Sequence, residues 1–317
     1  MAAVIFGLNE HQKYVIFARK ASKTARNRAS NRFMKTCINS DELHRVLADR
    51  RNSIHTIGFV PTMGALHSGH RSLIERARDS SDTVVLSIFV NPTQFNDVKD
   101  YDSYPNTIEA DLEMAETAGV DVVFMPSAEG MYGDDFAVDE VDYGQLTKSF
   151  EAQMRAGHFN GVVAVVRKLF RAVLPDRAFF GEKDLQQLAV IRRLARDEFP
   201  GLEIIGCPLI RDHDGLALSS RNVRLKESER ASALKLTGWI HEIQQEIQKG
   251  EDAEMVLERV SEAARQANDV RLEYLDIVNA LTFEPCRTDL SKNEVFAVVA
   301  ANVGEVRLID NCRVRCS

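Results

Sequence analysis

Gly58-Phe59-Val60-Pro61-Thr62-Met63-Gly64-Ala65-Leu66-His67-Ser68-Gly69-His70 is the stretch whose reading decides the fold. An apolar, strand-like run enters a glycine-bearing turn, and a helical pattern follows through 71–80. Two histidines three residues apart in the first helical turn share one face, next to backbone N–H groups that the helix itself leaves unpaired. A helix N-terminus attracts anions, and imidazole N–H donors, charged or neutral, stabilise charge that builds on phosphate oxygens. A lone surface histidine would carry no functional reading. The pair in a strand-turn-helix setting points to a phosphate-bearing ligand.

Outward from this stretch, β-branched runs alternate with helical patterns, which predicts an α/β chain with a Rossmann-like parallel sheet wound with helices. Strands are expected at 56–60, 83–90, 120–124, 178–181 and 203–207, with helices at 71–80, 107–118, 161–173 and 184–197. Right-handed crossovers place the ligand crevice at the carboxyl ends of those strands. Beyond the turn-rich Arg211-Asp212-His213-Asp214-Gly215, helices at 227–249 and 253–268 precede strands at 272–278, 295–300 and 306–309. This change of pattern predicts a boundary near Pro208, with 34–208 binding nucleotide and substrate and 209–317 forming a smaller α+β lid domain.

The 317 residues, 44% of them hydrophobic, suffice for a large and a small domain with sizeable cores. No apolar run approaches the roughly 18 residues of a spanning helix, so no membrane partner is expected. A net charge of -7 gives no general attraction for nucleic acid, and any anion must be held by a local site. Cys37, Cys207, Cys286, Cys312 and Cys316 lack metal-ligand spacing and read as reduced thiols of a cytoplasmic protein. Residues 1–33 set Lys13, Arg19, Lys20, Lys23, Arg26, Arg28 and Arg32 against the single acid Glu10. Such a basic extension reads either as a dispensable, disordered tail ahead of Met34 or as an organelle transit segment.

Four further stretches carry chemistry. Ser87-Ile88-Phe89-Val90-Asn91-Pro92-Thr93-Gln94-Phe95 ends a buried-looking strand with two amides, which can bind hydroxyl and carboxylate oxygens without adding charge. Phe180-Gly181-Glu182-Lys183-Asp184-Leu185-Gln186-Gln187-Leu188 repeats the strand, glycine and helix-start arrangement. There Lys183 can neutralise phosphate, and Asp184 suits either a helix cap or a ribose contact. Gly215-Leu216-Ala217-Leu218-Ser219-Ser220-Arg221-Asn222 sets two hydroxyls beside a guanidinium, an anion clamp that can close over phosphates, with a cap at Ser220 as the structural alternative. Arg155-Ala156-Gly157-His158-Phe159-Asn160-Gly161 adds a cation that can complement substrate or phosphate charge.

The opening string, Gly58 to His70, resembles the His-x-Gly-His signature of nucleotidylyltransferases and class I aminoacyl-tRNA synthetases. With Pro61-Thr62-Met63-Gly64 ahead of it, the string resembles the pantothenate synthetase (pantoate–β-alanine ligase) family in particular, and ordered matches extend from Met34 onward. Departures are Ala156 for proline, Leu185 for an aromatic and Leu218 for methionine. The resemblance implies a ligase that joins pantoate to β-alanine using ATP and Mg²⁺, through a pantoyl-adenylate, and acts as a homodimer. It assigns catalysis to His70, His67, Lys183 and Arg221, with His70 as the principal donor. ATP contacts fall to Met63, Gly64, His67, Gly69, His70, Gly181, Lys183, Asp184, Ile210, Leu218, Ser219, Ser220 and Arg221. Gln94 and Gln187 grip pantoate, with Asn91, Tyr104 and Arg155 also on the substrates. Mg²⁺ rides mainly on the ATP phosphates, and Arg307-Leu308-Ile309-Asp310-Asn311 reads as structural. Competing readings are another nucleotidylyltransferase acting on a phosphorylated acceptor and a nucleotide-binding regulator without turnover.

Overall fold

The computed structural model describes residues 34–51, 55–95, 101–102, 104–133, 137–291 and 294–314, so the basic segment 1–33 and Cys316 lie outside the described residues. The first half runs β1 (Lys35–Cys37), α1 (Ser40–Arg51), β2 (Ile57–Thr62), α2 (Ser68–Ser80), β3 (Thr83–Ile88), α3 (Ile108–Thr117), β4 (Val122–Phe124) and α4 (Ala128–Tyr132). It continues through α5 (Glu151–Met154), α6 (His158–Val173), β5 (Arg177–Gly181), α7 (Leu185–Glu198) and β6 (Glu203–Cys207).

These six strands form one sheet in the order β1-β4-β3-β2-β5-β6, and every pairing is parallel. Its central strands are buried on both faces, which explains their nearly unbroken apolar runs: Phe59 and Val60, Val84 to Leu86 and Val122 to Phe124 are all inaccessible. Phe59, Val85 and Phe124 pack with α6 and α7 on one side, while Val60, Val84 and Leu86 pack with α2 and α3 on the other. From β2 the chain proceeds outward to β3 and β4, then returns to lay β5 against the opposite edge of β2. This reversal leaves a crevice beyond the carboxyl ends of β2 and β5. The histidine stretch leaves β2 there, and the Lys183 turn leaves β5 there.

The expected strands and helices are present with shifted ends; α2, for example, starts at Ser68, so His70 lies inside it. β1 and α1 are additional to the expected elements. A three-residue strand has no readable period, and β1 exists through its pairing with β4, Lys35 opposite Val122.

The second half supplies α8 (Glu227–Gln248), α9 (Ala253–Arg265) and an antiparallel sheet of β7 (Arg271–Asn279), β8 (Val295–Val303) and β9 (Val306–Val314). Alternation along β8 divides two cores. Ala297 and Val299 pack under α8 and α9, whereas Phe296 and Val298 join the core of the first half through Phe283 and Val278. The two halves therefore meet across a packed apolar layer. Among the described residues no helix is long and apolar enough to cross a membrane. Cys37, Cys207, Cys286 and Cys312 are buried.

Candidate active site

The turn between β2 and α2 is fixed from below. Thr62 Oγ1 donates to the Ser87 carbonyl at 2.7 Å and accepts from Gly64 N at 3.2 Å. Gly64 and Ala65 both adopt positive φ, 81° and 50°. The next two amides, Ala65 N and Leu66 N, donate to the Asp111 carboxylate at 3.0 and 2.7 Å. Burial pushes the Asp111 pKa up against the opposing pull of these hydrogen bonds. His67 then caps α2, its Nδ1 accepting from Gly69 N at 3.2 Å, while His67 N donates to His70 Nδ1 at 3.3 Å. Both Nδ1 atoms accept, so each neutral ring carries its proton on Nε2. Burial, with the His67 and Lys183 charges adding, holds His70 down at about 3, and burial with Lys183 also lowers His67. The pair, with rings tilted at 45° and 4.2 Å between centroids, thus offers two neutral N–H donors near pH 7.

Asn91 and Gln94 follow β3 on a single 3₁₀ turn. Asn91 is 1% exposed and its amide is consumed internally: Nδ2 donates to Gly161 O at 3.1 Å, and Oδ1 accepts from Tyr132 OH at 2.8 Å and Thr93 Oγ1 at 3.0 Å. The expectation that it presents a free amide to substrate is corrected by this saturation. Gln94 lines the cavity, its Nε2 on Met63 Sδ at 2.7 Å. Gly161 is required here, since any Cβ would overlap the Thr93 carbonyl and Gln94 N. His158, which the motif reading leaves without a role, donates from Nδ1 to the Gln94 carbonyl at 2.8 Å and pairs through Nε2 with Arg155 Nη1 at 2.9 Å. Burial and the Arg155 charge push it down to about 4. Gln186 is tied to Glu151 N and two carbonyls, whereas Gln187 lines the cavity.

Lys183 and Asp184 sit on the 3₁₀ turn Glu182–Asp184, with Lys183 Nζ 3.6 Å from Asp184 Oδ1. Asp184 stands at the N-cap position of α7 without making a side-chain cap, which leaves its half-exposed carboxylate toward the cavity. The cap in the serine loop is Ser219, not Ser220, its Oγ accepting from Arg221 N at 3.2 Å. Ser220 bonds the Tyr104 hydroxyl, so the clamp rests on the first half of the chain.

The β9 segment is structural, as expected, but it reaches into the site. Asn311 Nδ2 donates to the carbonyls of Glu182 and Lys183 at 2.9 and 3.0 Å. Asp310 holds Arg211, at the base of the serine loop, through two bonds of 2.8 and 2.9 Å. Arg307 grips Glu151 through bonds of 2.9 and 2.7 Å.

These elements line a cavity of about 260 Å³, and a neighbouring cavity of about 560 Å³ shares Arg155, Lys183, Ser219 and Arg221 with it. Met63, His67, Gly69, His70, Asn91, Gln94, Tyr104, Arg155, Gly181, Lys183, Asp184, Gln187, Ile210, Leu218, Ser219, Ser220 and Arg221 all line the first cavity. Gly64 does not reach it, because it lies buried in the turn against Asp111. Among the described residues, the one group of three metal-capable side chains, Asp212, His213 and Asp214, is on the surface with both carboxylates on Arg230. The cavity thus presents cations and donors to an anion and no ready-made protein cage for a metal ion.

The family described as pantoate-beta-alanine ligase matches residues 35–313. A pantothenate synthetase of Corynebacterium efficiens is 48% identical over 275 residues, 84% of this chain and 95% of that protein. The corresponding protein of Acetivibrio thermocellus is 43% identical over 279 residues, 88% and 98% of the two chains. The crystal structure of pantothenate synthetase from Thermus thermophilus superposes with a TM-score of 0.83 at 41% identity, covering 89% of this chain and all (100%) of that one. Pantoate-beta-alanine ligase from Francisella tularensis, crystallised with a β-γ ATP ligand and β-alanine, gives 0.70 at 35% identity over 88% and 97%. With the family's model matched over 35–313 and relatives matching over nearly their whole length, the chain belongs to the pantoate–β-alanine ligase family.

Proposed function

We propose that this chain condenses (R)-pantoate with β-alanine to pantothenate, using ATP and releasing AMP and pyrophosphate. The observation that carries the reading is one cavity wall joining three things: neutral His67 and His70 at a helix N-terminus, Lys183 with the Ser219–Arg221 loop, and the Gln94 and Gln187 amides.

In the first step the pantoate carboxylate oxygen bonds to the α-phosphorus of ATP, and the bond to the bridging oxygen of pyrophosphate breaks. Gln94 and Gln187 orient pantoate, and the Nε2–H groups of His67 and His70 donate to oxygens that gain charge, with His70 the principal donor. Lys183 and Arg221 neutralise the departing pyrophosphate, helped by the hydroxyls of Ser219 and Ser220. The backbone of Met63, Gly69, Gly181, Ile210 and Leu218 packs the nucleotide, and Asp184 takes a ribose hydroxyl. In the second step the β-alanine amine attacks the acyl carbon of pantoyl-adenylate, expelling AMP as the ammonium proton is lost, while Arg155 and Tyr104 border the entering amino acid. Mg²⁺, when bound, would be held mainly through the ATP phosphates and would screen their charge. Residues 34–208 would form the catalytic domain and 209–317 its lid, in a cytoplasmic homodimer, or an organellar one if 1–33 is a transit segment.

The test is AMP formation with ATP, pantoate and β-alanine, omitting each in turn. AMP should require all three. Sustained AMP release without pantoate, or nucleotide transfer to a phosphorylated acceptor, would contradict the reading.

A further inference from the structure

We propose that Asp111 is a positioning residue of the adenylation step, holding the turn from which His67 and His70 are aimed. The inference rests on the functional reading above and goes beyond it in assigning a residue outside the cavity wall.

Asp111 is 2% exposed, yet its neighbours are the Ala65 and Leu66 amides and the Thr107 hydroxyl, with no Lys or Arg among the described residues pairing with it. Such a buried carboxylate is costly unless other dipoles replace water. Here they are two successive backbone amides, Ala65 N on Oδ2 at 3.0 Å and Leu66 N on Oδ1 at 2.7 Å, with Thr107 Oγ1 on Oδ1 at 3.2 Å. Successive amides converging on one anion make a built concavity. The backbone that creates it is strained, because Ala65 holds φ 50°, which a residue with a Cβ rarely adopts. Gly64 at φ 81° packs against the same carboxylate, where a Cβ would stand 3.0 Å from Oδ2.

One residue further along the chain is His67. Its own amide donates to His70 Nδ1 at 3.3 Å, so the plane and position of both rings follow from where Leu66 is held. Without the carboxylate, Ala65 has no reason to stay left-handed. The turn relaxes, and the two Nε2–H donors leave the positions from which they meet phosphate oxygens. A displacement near 1 Å at such a site costs on the order of 100-fold in rate. Pantoate binding is anchored elsewhere, through Asn91, Gly161 and His158, and should respond little.

The test measures kcat, KM for pantoate and melting temperature for four variants. Asp111→Asn should lower kcat about 10- to 100-fold with KM for pantoate within about threefold. Thr107→Val, at an exposed position, should lower kcat about two- to fivefold without a change in melting temperature. Ala65→Gly should resemble the parent, and adding it to Asp111→Asn should recover about threefold or more of the lost kcat, because glycine accepts the left-handed turn unaided. Wild-type kcat in Asp111→Asn, or a parallel loss of kcat, KM and melting temperature that Ala65→Gly does not relieve, would overturn the proposal. If Asp111→Asn does not fold, unchanged kcat in Thr107→Val overturns it instead. Absence of pantoate-dependent turnover in the parent protein would sink the functional reading first, which keeps the two failures distinct.

Discussion

At the residue scale the account depends on imidazoles that stay neutral. His70 is held at about 3 and His158 at about 4, both chiefly by burial, against 6.5 in an unfolded chain. Between those values and 6.5 the unfolded state binds the extra protons, so stability should fall as pH drops below 6.5, by at most ~1.4 kcal/mol per pH unit for each histidine. Urea unfolding at pH 7.0 and 5.0 checks this, and a His158→Gln variant should show a shallower dependence than the parent; an unchanged slope would show that His158 does protonate in the folded state. For the reaction, His70→Ala should cut kcat by about 100- to 1000-fold with the fold intact by circular dichroism. Gln94→Ala should act on binding, raising KM for pantoate about tenfold or more through loss of a substrate hydrogen bond. Steady-state kinetics separates the two outcomes.

At the scale of elements, the strand-turn-helix units were legible because apolar runs mark β2, β3 and β5, and glycines or the Asn91–Pro92 pair mark the turns that leave them. Three of the clustered motifs named the cavity wall for the same reason: the histidine stretch, the Asn91–Gln94 turn and the Lys183 turn each lie at a strand's carboxyl end. What the sequence does not display is support from remote elements. Asp111 sits in an ordinary amphipathic helix pattern, while Asn311 falls beyond the strand expected at 306–309, in a string read only as structural. Only the fold shows that one holds the histidine turn and the other holds the Lys183 turn. Asn91 erred in the opposite direction, since spacing cannot reveal that Tyr132 and Gly161 already occupy its amide. Gly161 itself lets α6 touch the 92–94 turn. Gly161→Ala should therefore push Gln94 aside and destabilise the protein by about 1–3 kcal/mol, raising KM for pantoate; thermal melts and substrate titration together would show it.

At the scale of the whole molecule, the C-terminal sheet serves as more than a cover. Its outer face shares a core with the first half, and Arg307, Asp310 and Asn311 fasten Glu151, the serine loop and the Lys183 turn in turn. Burial alone would raise the Glu151 pKa, but the Arg307 bonds and charge more than offset it and leave it low. Arg307→Met strands that buried carboxylate and should cost about 3–5 kcal/mol of stability, read as a lower urea midpoint. The central claim is that separated stretches of chain converge so that a hydroxy-acid carboxylate meets the α-phosphorus of a nucleotide. Exchange of labelled pyrophosphate into ATP, measured without β-alanine, tests it most directly. The account predicts rapid exchange when pantoate is present and loss of that exchange in His70→Ala; exchange that is absent with pantoate, or equally fast without it, would contradict it.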